Sequence, residues 1–147
     1  MKEIIGDLWD YHKKGHWIVI TTNGNLNTKG EAVMGKGIAL QAKQRYPELP
    51  RELGKQIKEI GNCLHHDSSR GLLLFPTKHD WWEKSDLELI EKSTKELVDL
   101  FDNYISGYAV PIYLVRPGCS NGGLDWKDVK PILEKYLDDR FVVVERS

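Results

Sequence analysis

The feature that most limits what this chain can fold into is its alternation of short apolar runs with segments long enough for amphipathic helices. Residues 17–22 read Trp-Ile-Val-Ile-Thr-Thr and run into the turn signal Asn23-Gly24. Residues 72–75, Leu-Leu-Leu-Phe, and residues 108–115 are apolar without polar alternation, the pattern of strands covered on both faces. Residues 38–46, stopped by Pro47, and residues 48–60, ended by Gly61, predict two helices. Residues 62–66 and 71–75 flank Asp67-Ser68-Ser69-Arg70 as a hairpin would. A long helix is predicted over residues 85–105. There Leu87, Ile90, Leu97, Val98, Phe101 and Ile105 form one apolar stripe, and Ser85 with Glu88 makes a capping-box pattern. A further helix from about Trp126 buries Val129, Ile132, Leu133, Tyr136 and Leu137. Its Pro131 is expected to delay the regular helix to Asp128 or Val129. Residues 141–144 read as a last strand. The order strand, two helices, hairpin, helix, strand, helix, strand predicts an α/β fold, with a mostly parallel or mixed central sheet and helices on both faces.

Composition narrows the functional classes. The 147 residues suit one domain around one core. A formal net charge of −1 supplies no global field for a polyanion, so any such contact must be local. Residues 1–7 carry no apolar signal-peptide core, and no apolar run approaches the ~20 residues of a membrane helix, so a cytoplasmic, membrane-free chain is expected. The same reading expects a monomer. Cys63 and Cys119 lie at no metal-like spacing and predict reduced thiols. The adjacent His65 and His66 would point to opposite faces of a strand. No metal and no cofactor is therefore expected.

In such sheets ligands bind outside the carboxyl ends of the strands. Two glycine-rich loops fall there. One, residues 23–37, holds Gly24, Gly30, Gly35 and Gly37. The other is Gly118-Cys119-Ser120-Asn121-Gly122-Gly123-Leu124. Each lies between a strand and a helix, where backbone N–H groups and a helix N-terminus favour phosphate. The plainer alternative is that these glycines only make turns. Neither loop has the Gly-Lys-[Ser/Thr] of a P-loop or the spacing Gly-x-Gly-x-x-Gly.

The residues Val33-Met34-Gly35-Lys36-Gly37-Ile38-Ala39-Leu40 resemble the first ligand loop of macro domains, and residues 118–126 resemble the second. Phe75-Pro76-Thr77-Lys78, with Trp82 and Ser85 downstream, is similar to one branch of that family. That branch holds the DarG-type antitoxins, which remove ADP-ribose from DNA, and the terminal ADP-ribose protein glycohydrolases. The match runs from Gly6-Asp7-Leu8 to the last helix. It implies one macro domain over residues 1–147, a three-layer α/β/α fold with a mixed central sheet.

The resemblance also implies roles. Asp7 and the backbone of Leu8 would hold the adenine, and Asn23 the distal ribose. Gly35, Lys36, Gly37 and Ile38 would lie against the distal ribose and a phosphate. Gly118, Cys119, Ser120, Asn121, Gly122, Gly123 and Leu124 would wrap the diphosphate. Lys78 matches the lysine that this branch uses at the anomeric carbon. Its chemistry stands on its own: a lysine amine with a lowered pKa can attack the C1″ carbon of ribose and form a Schiff base. The plainer reading of Lys78 is a solvated lysine at a strand end. The expected partner is ADP-ribose or an ADP-ribosylated substrate, single-stranded DNA among them.

The chain also departs from the branch. Protein-directed members place an aspartate in the second loop about where Gly122 stands, so no Lys–Asp pair is supplied there. Asp125 is expected to cap the next helix instead. Arg116 would grip a phosphate or pair with a surface carboxylate. Residues 25–32 lengthen the first loop. Among the remaining aromatics, Trp81 and Trp82 are expected to pack under their loop rather than stack on a base, and Trp9, Trp17 and Trp126 to lie in the core. Three activities follow: an ADP-ribosyl glycohydrolase using Lys78, an ADP-ribose 1″-phosphate phosphatase using His79, Asp80 or a residue of the long first loop as base, and a reader that binds ADP-ribose without cleaving it.

Overall fold

The computed structural model describes residues 1–104 and 110–146. Its elements are β1 (Lys2–Gly6), α1 (Leu8–Lys13), β2 (Ile18–Thr22), α2 (Gly37–Arg45), α3 (Leu49–Ile60), β3 (His65–Asp67), β4 (Leu72–Pro76), α4 (Leu87–Asn103), β5 (Ile112–Leu114), α5 (Trp126–Glu134) and β6 (Phe141–Arg146). The six strands form one sheet in the order β1-β6-β5-β2-β4-β3. Only β3, paired with β4, runs antiparallel. The sheet is therefore mixed, as expected, with a parallel centre.

Two apolar layers sandwich the sheet. On one face Val19, Leu73, Phe75, Ile112, Leu114, Phe141 and Val143 pack against Ile90, Leu97 and Phe101 of α4 and against Val129 and Leu133 of α5. On the other face Ile18, Ile20, Leu72, Leu74 and Val144 meet Leu8 and Trp9 of α1, Ala39 and Ala42 of α2, and Leu49 and Leu53 of α3. Successive strand residues serve opposite layers, which is why β2 and β4 read as unbroken apolar runs. Each large side chain removed from water in this way contributes roughly 1.5–3 kcal/mol.

Several local expectations need correction. The edge strand β1 and helix α1 were not legible, because β1 has two apolar residues among five and one of them, Ile5, is 69% exposed. The cap of α4 is Asp86, whose side chain accepts from the Glu88 N–H; Ser85 lies one residue earlier, buried beneath the second loop. Helix α5 starts at Trp126 and runs through Pro131, whose missing N–H falls on an exposed position. The first hairpin strand shrinks to His65–Asp67. As read from the sequence, His65 is buried and His66 exposed. Trp9 is buried, but Trp17 and Trp126 are half-buried beside the core rather than in it. Ile105, Tyr108 and Ala109, the predicted end of one helix and start of one strand, lie outside the described residues. Among the described residues no helix is long and apolar enough to cross a membrane.

Candidate functional site

The chain topology opens a crevice between β2 and β5. The connection leaving β2 travels to the β3–β4 hairpin on one side, and the one leaving β5 travels to β6 on the other. At such a switch point the two outgoing loops diverge and leave room for a ligand at the carboxyl ends of the strands. A cleft of about 920 Å³ lies there, within the range of small-molecule sites. Its lining includes Asp7, Leu8, Asn23, Gly35, Lys36, Gly37, Ile38, Lys78, Gly118, Cys119, Ser120, Asn121, Gly122 and Leu124. The fold thus brings together every residue to which the resemblance gives a role except Gly123, which is exposed on the outer side of the second loop and faces the Lys84 side chain. A groove of similar size runs past Tyr11, Tyr113 and Arg140. It lies at the amino ends of β5 and β6, away from the carboxyl ends of the parallel strands, and we assign it no ligand.

The two loops meet across the cleft. Gly37 has a φ of +57°, a left-handed conformation that favours glycine, and a Cβ there would stand 2.8 Å from the Asn121 side-chain nitrogen of the facing loop. The helices behind the loops begin at the cleft wall, at Gly37 and at Trp126. Their N-cap residues, Lys36 and Asp125, make no side-chain capping bond. Asp125 therefore occupies the expected position without doing the expected work. By contrast α1 and α4 are closed by the carboxylates of Asp7 and Asp86. The first-turn N–H groups of α2 and α5 thus have no side-chain cap, and a helix N-terminus carries partial positive charge.

Lys78 stands just past the end of β4. Its backbone is pinned by the Asn62 amide, which donates to the Lys78 carbonyl at 3.0 Å. The preceding Thr77 N–H donates to the Thr22 carbonyl at 3.0 Å. The ε-ammonium reaches across the cleft mouth and donates to the carbonyls of Trp81 and Asn121, each at 3.3 Å. Among the described residues no carboxylate contacts it. Partial burial, and then the nearby charge of Lys36, hold its pKa below the ordinary lysine value. Both causes favour the neutral, nucleophilic amine.

The neighbouring candidates are engaged elsewhere. His79 pairs with Asp86 at 2.8 Å, and this bond, more than any other influence, lowers the Asp86 pKa. Asp80 accepts from the Asn25 amide at 2.9 Å. Neither His79 nor Asp80 lines the cleft. Burial pushes the Cys119 thiol up to about 11, which leaves it protonated and unreactive at neutral pH. Arg116 pairs with Glu145 at 3.1 Å and lies 5.0 Å over the Trp126 ring. Asn23 uses its side chain within its own loop: it donates to the Val33 carbonyl at 3.0 Å and accepts from the Asn25 N–H at 2.9 Å.

Sequence reasoning missed Asn25, Asn62 and Gln41. Asn25 and Asn62 hold the segment around Lys78, while Gln41 accepts from Trp9 Nε1 at 2.8 Å in the cleft wall. Isolated amides in a sequence carry no spacing signal. The packing expected of Trp81 and Trp82 also fails, since they are 49% and 64% exposed.

No protein-family model matches the chain. Among curated proteins it is 38% identical over 108 residues to a DNA ADP-ribosyl glycohydrolase of Mycobacterium tuberculosis, a match covering 67% of this chain and 30% of that protein. A DNA ADP-ribosyl glycohydrolase of Thermus aquaticus is 32% identical over 123 residues, covering 77% of this chain and 32% of that protein. The chain thus spans about a third of the length of these relatives. Among solved structures, the macrodomain of Mycobacterium tuberculosis DarG superposes with a TM-score of 0.77 at 28% identity, covering 99% of this chain and 97% of that one.

Proposed function

This chain is a macro domain of the DarG type, and from that premise we propose that it removes ADP-ribose from modified DNA, with Lys78 as its nucleophile. The observation that carries the proposal is the position of the Lys78 amine. It lies at the cleft mouth, beside the Asn121 carbonyl of the second loop, with its pKa lowered and, among the described residues, no carboxylate against it.

In this reading the diphosphate lies between the two loops and takes N–H donors from residues 35–38 and 118–124, with the open N-termini of α2 and α5 behind them. Asp7 accepts from the adenine amine with the carboxylate oxygen that its helix cap leaves over, and the Leu8 backbone assists. Asn23 borders the distal ribose. The neutral Lys78 amine adds to C1″. The bond from C1″ to the modified base breaks, and its electron pair leaves with the base, which takes up a proton. The ribose ring opens to a protonated Schiff base on Lys78. Water then adds to that carbon, the amine departs, and ADP-ribose is released. The net reaction consumes one water.

Phosphatase chemistry needs a base that can activate water at C1″. The engagement of His79 and Asp80 outside the cleft argues against these two as that base. The test is release of ADP-ribose from an ADP-ribosylated single-stranded oligonucleotide by wild type and by Lys78→Ala. Release by wild type alone supports the proposal. Release of phosphate from ADP-ribose 1″-phosphate that survives Lys78→Ala replaces it with the phosphatase, and binding of ADP-ribose without turnover replaces it with a reader.

A further inference from the structure

The segment between Lys78 and α4 holds two tryptophans in the open. Trp81 and Trp82 are 49% and 64% exposed, and their rings meet edge to face, with centroids 5.7 Å apart at 88°. Two adjacent indoles left in water forgo burial energy that the fold could have used. Their exposure does not come from a slack loop. The Gly24 N–H donates to the His79 carbonyl at 3.0 Å, the Asp80 N–H to Glu83 at 3.0 Å, and the Ser85 N–H to the Gly122 carbonyl at 2.8 Å. Asn25, from the lengthened part of the first loop, accepts from the Trp81 N–H with its oxygen and donates to Asp80 with its nitrogen. The His79–Asp86 pair closes the far end. The indoles are thus displayed on a braced support.

Place and charge say what that display faces. Trp81 lines the cleft, and its carbonyl accepts from the Lys78 ammonium, so the indole pair begins where the reacting carbon would sit and extends outward. Lys84 lies along Gly123 on the outside of the second loop, and Lys36 is exposed at the end of the first, where α2 begins. Among the described residues neither lysine has an ion-pair partner. The acidic groups of the segment are engaged: Asp80 by Asn25, Glu83 by the Asp80 N–H, and Asp86 by His79. An apolar, π-faced strip flanked by unpaired ammonium groups suits an unstacked base with its phosphates on either side.

We propose that Trp81 and Trp82 form a stacking platform for bases of single-stranded DNA next to the ADP-ribosylated nucleotide, with Lys36 and Lys84 meeting the flanking phosphates. This deepens, and rests on, the reading of the cleft as a DNA-directed site. It makes the strand outside the cleft, as well as the ADP-ribose inside it, part of what is recognised. Asn25 is a positioning residue for the platform, which gives the lengthened first loop a use.

The test separates this proposal from the cleavage reading by measuring binding in the Lys78→Ala protein. Three ligands are compared: a short single-stranded oligonucleotide with one ADP-ribosylated base, the matching ADP-ribosylated mononucleoside, and ADP-ribose. The oligonucleotide is expected to bind about tenfold tighter than the mononucleoside for each base stacked. Trp82→Ala in that background should remove about tenfold of this advantage, Trp82→Phe should restore most of it, and affinity for ADP-ribose should stay unchanged. Equal affinity for oligonucleotide and mononucleoside overturns the platform. So does an advantage that survives loss of both indoles, or a Trp82→Ala loss that is the same for ADP-ribose, which would mark a structural role. Turnover by the otherwise unaltered protein is scored separately. No turnover with the advantage intact removes the cleavage reading and leaves the platform standing; turnover without the advantage does the reverse.

Discussion

The ε-ammonium of Lys78 donates to the backbone carbonyl of Asn121 across 3.3 Å, joining the end of β4 to the middle of the second glycine loop. A carbonyl orients an amine without competing for the role of proton acceptor as a carboxylate would. Lys78→Ala should therefore abolish turnover, by about a hundredfold or more, while ADP-ribose affinity changes little. Lys78→Arg should be as inactive, because a guanidinium keeps its proton. Single-turnover release of ADP-ribose, with calorimetric binding in parallel, checks both. An arginine variant that retains turnover would rule out covalent attack by this side chain.

The position where protein-directed relatives would carry an aspartate is closed here by sterics as well as by residue choice. A Cβ on Gly122 would stand 2.2 Å from Ser85 Oγ and 2.4 Å from the Gly118 carbonyl oxygen. Gly122→Asp should therefore fail to create a working Lys–Asp pair. It should push the second loop off Ser85 and weaken ADP-ribose binding by at least about tenfold, with a destabilisation of about 1–3 kcal/mol from overpacking. Binding and thermal unfolding of the variant give both numbers, and a gain of activity would contradict the steric argument.

The pH dependence of turnover follows from the state of Lys78. In the proposed mechanism the neutral amine is the nucleophile, so the rate is expected to rise with pH through the Lys78 pKa. Partial burial and the charge of Lys36 move that limb below the ordinary lysine range. Removing the Lys36 charge relieves one of the two depressing causes, raises the Lys78 pKa and moves the limb to higher pH. Lys36→Gln is thus expected to be slower than wild type at neutral pH and to approach it in alkaline buffer. A pH–rate profile that Lys36→Gln leaves in place would mean that a different group titrates.

The legible and illegible parts of this molecule divide along physical lines. The sheet centre was legible because β2 and β4 are covered on both faces and so read as apolar without interruption, Ile18–Thr22 and Leu72–Pro76. The place of the cleft was legible because two glycine-rich loops follow strands of the sheet, and both line it. What escaped was marginal in composition or dependent on distant partners. The edge strand β1 needs few apolar residues, since its stability comes from pairing with β6. The clamps made by Asn25 and Asn62 join residues 55 and 16 positions apart. The exposure of Trp81 and Trp82 could not be read from residue type, because an indole in a sequence looks the same whether it is buried or displayed.

Asp7 caps α1 with the same carboxylate that is proposed to hold the adenine, and a single substitution separates the two roles. Its Oδ1 accepts from the Trp9 N–H at 2.9 Å and caps α1, while the side chain also lines the cleft. Asn caps helices about as well as Asp, so Asp7→Asn should keep α1 and change the unfolding midpoint little. With the amide oxygen held by Trp9, the amide nitrogen faces the cleft and meets the adenine amine donor to donor. ADP-ribose affinity should then fall by about tenfold or more, the cost of a polar pair left unmade. Asp7→Ala loses both functions and should also cost about 1 kcal/mol of stability. Calorimetric titration with ADP-ribose, set beside thermal unfolding of both variants, reads the two effects independently. If Asp7→Asn binds as wild type does while Asp7→Ala is destabilised, Asp7 is a helix cap and the adenine is held by other groups.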